Sequence, residues 1–116
     1  MDLNSIIKIQ LEMDKKHGFP VVFENETSKY LQVTKDLVGL FGEIGEFSNI
    51  VKKINIKIDH PESYQFSIED AEPNLREELI DSLIYIIRIG SILNIDLQCE
   101  LLKKMAENSV RYKHVK

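Results

Sequence analysis

Tryptophan is absent, cysteine occurs once, and the 116 residues include only three prolines and five glycines. With Cys99 alone, neither an intramolecular disulfide nor a cysteine metal cluster can form, a count that fits a reducing cytoplasm. So little Gly and Pro excludes collagen-like and low-complexity chains, and 43% hydrophobic against 29% charged residues excludes broad disorder. Long hydrophobic runs are also missing. The most apolar stretch, Leu79 to Leu93, is broken by Asp81 and Arg88 and is too short and too charged to span a bilayer. The start, Met1-Asp2-Leu3-Asn4, has no basic segment leading into an apolar run, so no signal peptide is expected. A net charge of -4 argues against a protein that coats nucleic acid or an anionic membrane. It leaves room for a small anionic ligand, because a metal ion can invert the local charge. The expectation is a cytoplasmic protein with one core, a single domain over 1–116.

What is present is helical periodicity, in four segments separated by breakers. The first runs from about Leu3 to Lys16 and stops at His17-Gly18-Phe19-Pro20, where Gly can take a left-handed cap and Pro cannot continue. Thr27 or Ser28 is the expected N-cap of a long second helix reaching Lys53 or a little beyond. Ile54 to Ile58 alternates apolar and polar, which suggests a short extended piece, and Asp59 to Glu72 reads as a loop. Within it, Ser67 to Asp70 is a second place where a helical turn can start. Pro73 suits a first helical turn, and Asn74 with Glu77 forms a capping box for a third helix to about Leu93. Asp96 caps a fourth helix ending near Arg111. The predicted architecture is an all-α four-helix bundle.

Two acidic pairs stand out, Glu43-x-x-Glu46 on the second helix and Glu78-x-x-Asp81 on the third. A spacing of three puts both members of a pair on one helix face. Acids three apart occur on many solvated faces, but these have apolar neighbours. Glu43 lies at the edge of the stripe Leu37, Leu40, Ile44, Phe47 and Val51. The third helix is apolar almost all round, the mark of a buried central helix, and Glu78 shares its face with Ser82, Tyr85 and Ile89. None of the four acids has Lys or Arg three or four residues away, so intrahelical ion pairs cannot compensate them. Two readings follow. Either a hard divalent cation neutralises them, with Mg²⁺ the common choice beside phosphates and Mn²⁺ an alternative, or interhelical salt bridges do. A di-iron centre is rejected, because Glu-x-x-His is absent: Asp14, Lys57 and Arg111 precede His17, His60 and His114 at that spacing.

Lys104, Asn108 and Arg111 share one face of the fourth helix. If that face meets the carboxylates, the two cations can hold phosphate oxygens and Asn108 can orient a sugar, a base or a water. Cations near a helix C-terminus also simply complement the macrodipole. Tyr85 reads as a core aromatic with a polar tip, and Phe19, Phe23 and Tyr30 as packing under the first loop. Gly39, Gly42 and Gly45 recur inside the second helix, where each costs about 1 kcal/mol, so a closely approaching helix is expected there.

Glu43-x-x-Glu46, then Glu77-Glu78-Leu-Ile-Asp81-Ser-Leu-Ile-Tyr85, then Lys104-Met-x-x-Asn108-x-x-Arg111-Tyr112, in this order with helices between, resembles the MazG-like all-α nucleoside triphosphate pyrophosphohydrolases, nearest the dCTP pyrophosphatase branch. The resemblance runs from about Leu37 to Tyr112, leaving out Ile54 to Glu72. It implies hydrolysis of a (d)NTP to the (d)NMP and pyrophosphate, a house-cleaning activity on the nucleotide pool, by a homodimer or homotetramer. It further implies Mg²⁺ held by Glu43, Glu46, Glu78 and Asp81, a phosphate contact at Lys104, and nucleotide contacts at Asn108, Tyr85 and Arg111. Two regions, both of which the resemblance implies bear on the base pocket, depart from that branch. Lys52 and Lys53 stand where it has an aromatic residue, and His17-Gly18-Phe19-Pro20 stands where it has a Trp-containing stretch.

The expected chemistry follows from charge. The metal activates a water for attack on phosphorus, Glu43 or Glu46 takes its proton, and Lys104 with the metal stabilises the leaving pyrophosphate. The rival reading is a non-catalytic helical interaction or regulatory protein whose acids make salt bridges.

Overall fold

The computed structural model describes residues 1–115, and it is all-helical: four helices and no strand among the described residues. They are α1 (Leu3–His17), α2 (Glu26–Asp59), α3 (Ile68–Ile92) and α4 (Leu97–Arg111). The all-α expectation holds. The chain divides into two compact units, a terminal one of Met1–Tyr30 with the chain from Ile87 onward, and a central one of Leu31–Ile86.

In the terminal unit the helix ends follow the capping residues. The Asp2 carboxylate accepts the Ser5 N–H at 2.9 Å and starts α1. Gly18 ends it in the left-handed region (φ 77°), its N–H directed to the carbonyls of Asp14 and Lys15. Asp96 caps α4 as its position predicts, accepting the Cys99 N–H at 3.0 Å. Cys99 itself is free and exposed. The α3–α4 junction is tight, since a methyl on Gly90 would run into the Leu97 side chain.

The buried centre of this unit is charged. Asp14 on α1 is 2% exposed and Arg88 on α3 is 6% exposed, and Arg88 Nη1 lies 3.0 Å from the Asp14 carboxylate. Gln10, one turn back on α1, donates to the other Asp14 oxygen at 2.9 Å. Arg88 Nη2 donates to the Pro20 carbonyl at 3.1 Å, and its guanidinium sits 5.9 Å from the Phe19 ring centroid. One cation therefore joins α3, α1 and the segment after α1.

The boundaries of α2 and α3 depart from the expected ones. The N-cap of α2 is Asn25, whose side chain accepts the Ser28 N–H at 2.8 Å, rather than Thr27 or Ser28. Ile54 to Ile58 is helical, not extended. Phe47, Ile50, Val51 and Ile54 continue one helical stripe, and that three-four spacing outweighs the local alternation. Past the end of α2, the Lys57 ammonium donates to the carbonyls of Pro61 and Tyr64 at 2.7 and 2.9 Å, satisfying groups that the turn exposes.

α3 begins at Ile68, six residues before the predicted capping box, with the Ser67 hydroxyl accepting the Asp70 N–H at 3.2 Å. Pro73 therefore lies inside the helix and leaves the Glu69 carbonyl without its usual donor. Pro73 and Glu69 are both exposed, so water serves that carbonyl. A second correction concerns burial. Leu79, Ile80, Leu83 and Ile86 are each about half exposed, so α3 is not covered on all sides. Tyr85 faces α2 at Gly39, where a methyl would overlap its ring. The expected close approach is thus realised at Gly39, whereas Gly42 and Gly45 face open space.

The Arg88–Asp14 pair makes a testable statement about stability. Arg88→Leu strands a buried carboxylate, and the expected loss is about 3–5 kcal/mol in urea unfolding. A loss below about 1 kcal/mol, the range of exposed pairs, would show that the pair does not hold the unit.

Candidate metal centre

Glu43 and Glu46 project from one face of α2, three residues apart, and Glu78 reaches them from α3. One carboxylate oxygen of each lies within 4.8 Å of the others. Glu43 and Glu78 are half-buried and Glu46 is exposed, so the group opens to solvent on one side. Asp81, half-buried one turn further along α3, is not part of this group. Of the four acids singled out in the sequence, the fold brings three together.

The electrostatics of the group are those of carboxylates forced into proximity. Glu78 is pushed up from its ordinary value of 4.5 to about 8. The largest cause is its hydrogen bond with Glu43, which requires a shared proton; burial, the hydrogen bond with Glu46 and the repulsion of both neighbouring charges add to it. Glu78 Oε2 is buried and no donor reaches it. The Ser82 hydroxyl, one turn away, donates instead to the Glu78 main-chain carbonyl at 2.8 Å. Among the described residues no Lys, Arg or His forms an ion pair with Glu43, Glu46, Glu78 or Asp81. The interhelical salt bridges of the rival reading are therefore missing here. The donor set is all hard oxygen, and its buried orphan oxygen is the kind of group that a divalent cation satisfies. The residues present fit such an ion.

The other sequence candidates are placed as follows. Tyr85 is half-buried on α3, its ring against Gly39. Lys104, Asn108 and Arg111 belong to the terminal unit, on α4. Lys104 is exposed and 3.8 Å from Glu107. Asn108 is half-buried, and Arg111 is exposed with its guanidinium 5.1 Å from the Tyr112 ring centroid. Asp14 and Arg88 went unrecognised in the sequence. Their signal was a Gln-x-x-x-Asp pair on the inward side of α1 and a lone cation in an otherwise apolar stretch of α3.

Fold and site together describe an all-α protein with a carboxylate-lined candidate metal centre between two helices. Over 89 residues the chain is 29% identical to dCTP pyrophosphatase 1 of Rattus norvegicus, an alignment covering 77% of this chain and 51% of that protein. The chain thus spans about half the length of the curated relative it matches. No family model matches the chain, and no solved structure matches it.

The raised Glu78 value carries a pH signature. Below 4.5 both folded and unfolded chains hold the proton; between 4.5 and about 8 only the folded one does. Glu78 therefore stabilises the metal-free protein at low pH, and that contribution is lost as pH rises through about 8. In EDTA, Tm should fall over this window, and Glu78→Gln should flatten the slope and melt higher than wild type at the alkaline end. Parallel Tm profiles for the two proteins would show that the carboxylates do not share a proton.

Proposed function

We propose that the chain is a divalent-metal-dependent nucleoside triphosphate pyrophosphohydrolase of the MazG-like all-α type, one such domain over 1–116, converting a (d)NTP to (d)NMP and pyrophosphate. The observation that carries this reading is the cluster of Glu43, Glu46 and Glu78 with its buried, donorless oxygen. The similarity to a dCTP pyrophosphatase supports it independently. Glu43, Glu46 and Glu78 would hold Mg²⁺, or Mn²⁺ in its place, with Asp81 as the fourth acid. When bound, the ion neutralises triphosphate oxygens and makes water a better nucleophile at neutral pH.

The remaining steps belong to the chain. Glu43 or Glu46 takes the proton of the attacking water, and of the two only Glu46 is exposed to solvent. Glu78 holds a proton in the metal-free protein and would release it from its carboxyl group on serving as a ligand. By the resemblance, Lys104 contacts phosphate and offsets charge on the leaving pyrophosphate, while Tyr85, Asn108 and Arg111 contact the nucleotide. A house-cleaning role in the cytoplasmic nucleotide pool follows, with no nucleic-acid or membrane partner. No described helix is long and apolar enough to cross a membrane.

Pyrophosphate release from a panel of NTPs and dNTPs with Mg²⁺ tests the proposal. Wild type should release it from at least one, EDTA should stop the reaction, and Glu78→Gln should lower the rate more than about 100-fold while remaining folded. No release from any nucleotide, or normal release by Glu78→Gln, would sink the reading.

The same proposal includes self-association as a homodimer or homotetramer. Leu79, Leu83 and Ile86 form a half-exposed stripe on α3, and on α2 Val38 and Phe41 are exposed beside Gly42 and Gly45, which leave room for a neighbouring helix. Such a surface exceeds scattered exposed residues and fits a homo-oligomer interface. Light scattering should give at least a dimer at micromolar concentration, and Leu83→Glu should shift it to monomer. A monomeric wild type would remove oligomerisation from the proposal.

A further inference from the structure

A concave feature lies in the terminal unit and shares no residue with the carboxylate cluster. It is a groove of about 630 Å³ between one face of α1 and the segment that follows it. Leu11, Phe19, Pro20, Val21 and Val22 form its apolar walls. The volume falls in the range of small-molecule sites.

Two observations suggest that the groove is built rather than incidental. The first is its outer wall. Phe19 is 57% exposed and Val22 88% exposed, an unfavourable arrangement for apolar side chains that could fold down. They are held out because the segment is pinned: Gly18 turns the chain through the left-handed region, the Phe19 N–H donates to the Asp14 carbonyl at 2.8 Å, and Arg88 holds the Pro20 carbonyl. A buried ion pair is an expensive way to fix an exposed loop, and its effect here is to keep the groove open. The second observation is charge. Lys8 and Lys15, two turns apart on the α1 wall, flank the apolar floor at Leu11. Neither forms an ion pair with Glu12, the one acid lining the groove, or with any other acid among the described residues. In a chain of net charge -4, the lining has an excess of one positive charge.

We infer that this groove is a ligand site for a small molecule with an apolar body and a single anionic group, the class of alkyl and aryl carboxylates. The apolar body lies against Leu11, Phe19 and Val22, and the anionic group meets Lys8 or Lys15 at the rim. A pre-formed wall lowers the ordering cost of binding, which is what the Arg88 clamp contributes.

Fluorescence titration of the full chain with 8-anilinonaphthalene-1-sulfonate, and displacement by decanoate, tests the assignment. One saturable site is expected, emptied by decanoate. The double variant Lys8→Glu, Lys15→Glu should weaken the anionic probe by about tenfold or more, but bind the uncharged N-phenyl-1-naphthylamine as wild type does. Leu11→Gln should weaken both probes. Both variants change side chains outside the carboxylate cluster, so pyrophosphate release should be unaltered, and circular dichroism confirms folding. Several equivalent probe sites, no displacement by decanoate, or affinities unmoved by either variant would overturn the assignment. So would a change of oligomeric state in the double variant without loss of probe binding, because the groove would then face a second copy of the chain.

Discussion

Like charges do not gather without compensation, and the central unit is organised around an instance in which they do. Three carboxylates from α2 and α3 come within 4.8 Å, with no cation in ion-pair contact among the described residues. In the metal-free protein the only available compensation is a proton on Glu78, held to about pH 8. A structure that stores this repulsion near its helix packing favours any divalent ion that relieves it. The arrangement therefore reads as preparation for a ligand, since packing alone would be better served by apolar residues of similar size.

The terminal unit solves the opposite problem. Asp14 and Arg88 are more deeply buried than any of the clustered glutamates, yet they meet as opposite charges and are completed by Gln10 and the Pro20 carbonyl. One buried charge group meets its counter-charge within the chain and the other does not. That contrast separates a structural ion pair from a candidate site more sharply than burial does.

Much of this was legible in the sequence. Four helices and the Gly18 and Asp96 caps follow from periodicity and capping chemistry, while the expected meeting of all four acids is seen for Glu43, Glu46 and Glu78 and not for Asp81. The early start of α3 was hidden because Pro73 imitates a first-turn residue, while Ser67 supplies a cap one turn and a half before it. The run through Ile58 was hidden because alternation over five residues imitates a strand, and only the longer stripe from Phe47 resolves it. Partial exposure of α3 could not be read at all. Hydrophobic pattern states which faces avoid water, not whether the same chain covers them. In sequence Arg88 merely interrupts an apolar run, since its partners lie 74 and 68 residues away.

The double hydrogen bond from Lys57 to the carbonyls of Pro61 and Tyr64 reaches beyond the turn it closes. Both bonds lie in the connection between α2 and α3, so they hold the path that the chain takes from one carboxylate-bearing helix to the other. One turn of slip would carry Glu78 about 5.4 Å along its axis, a displacement larger than the spread of the cluster itself. A lysine far along α2 from Glu43 thus braces the connection whose course such a slip would have to change.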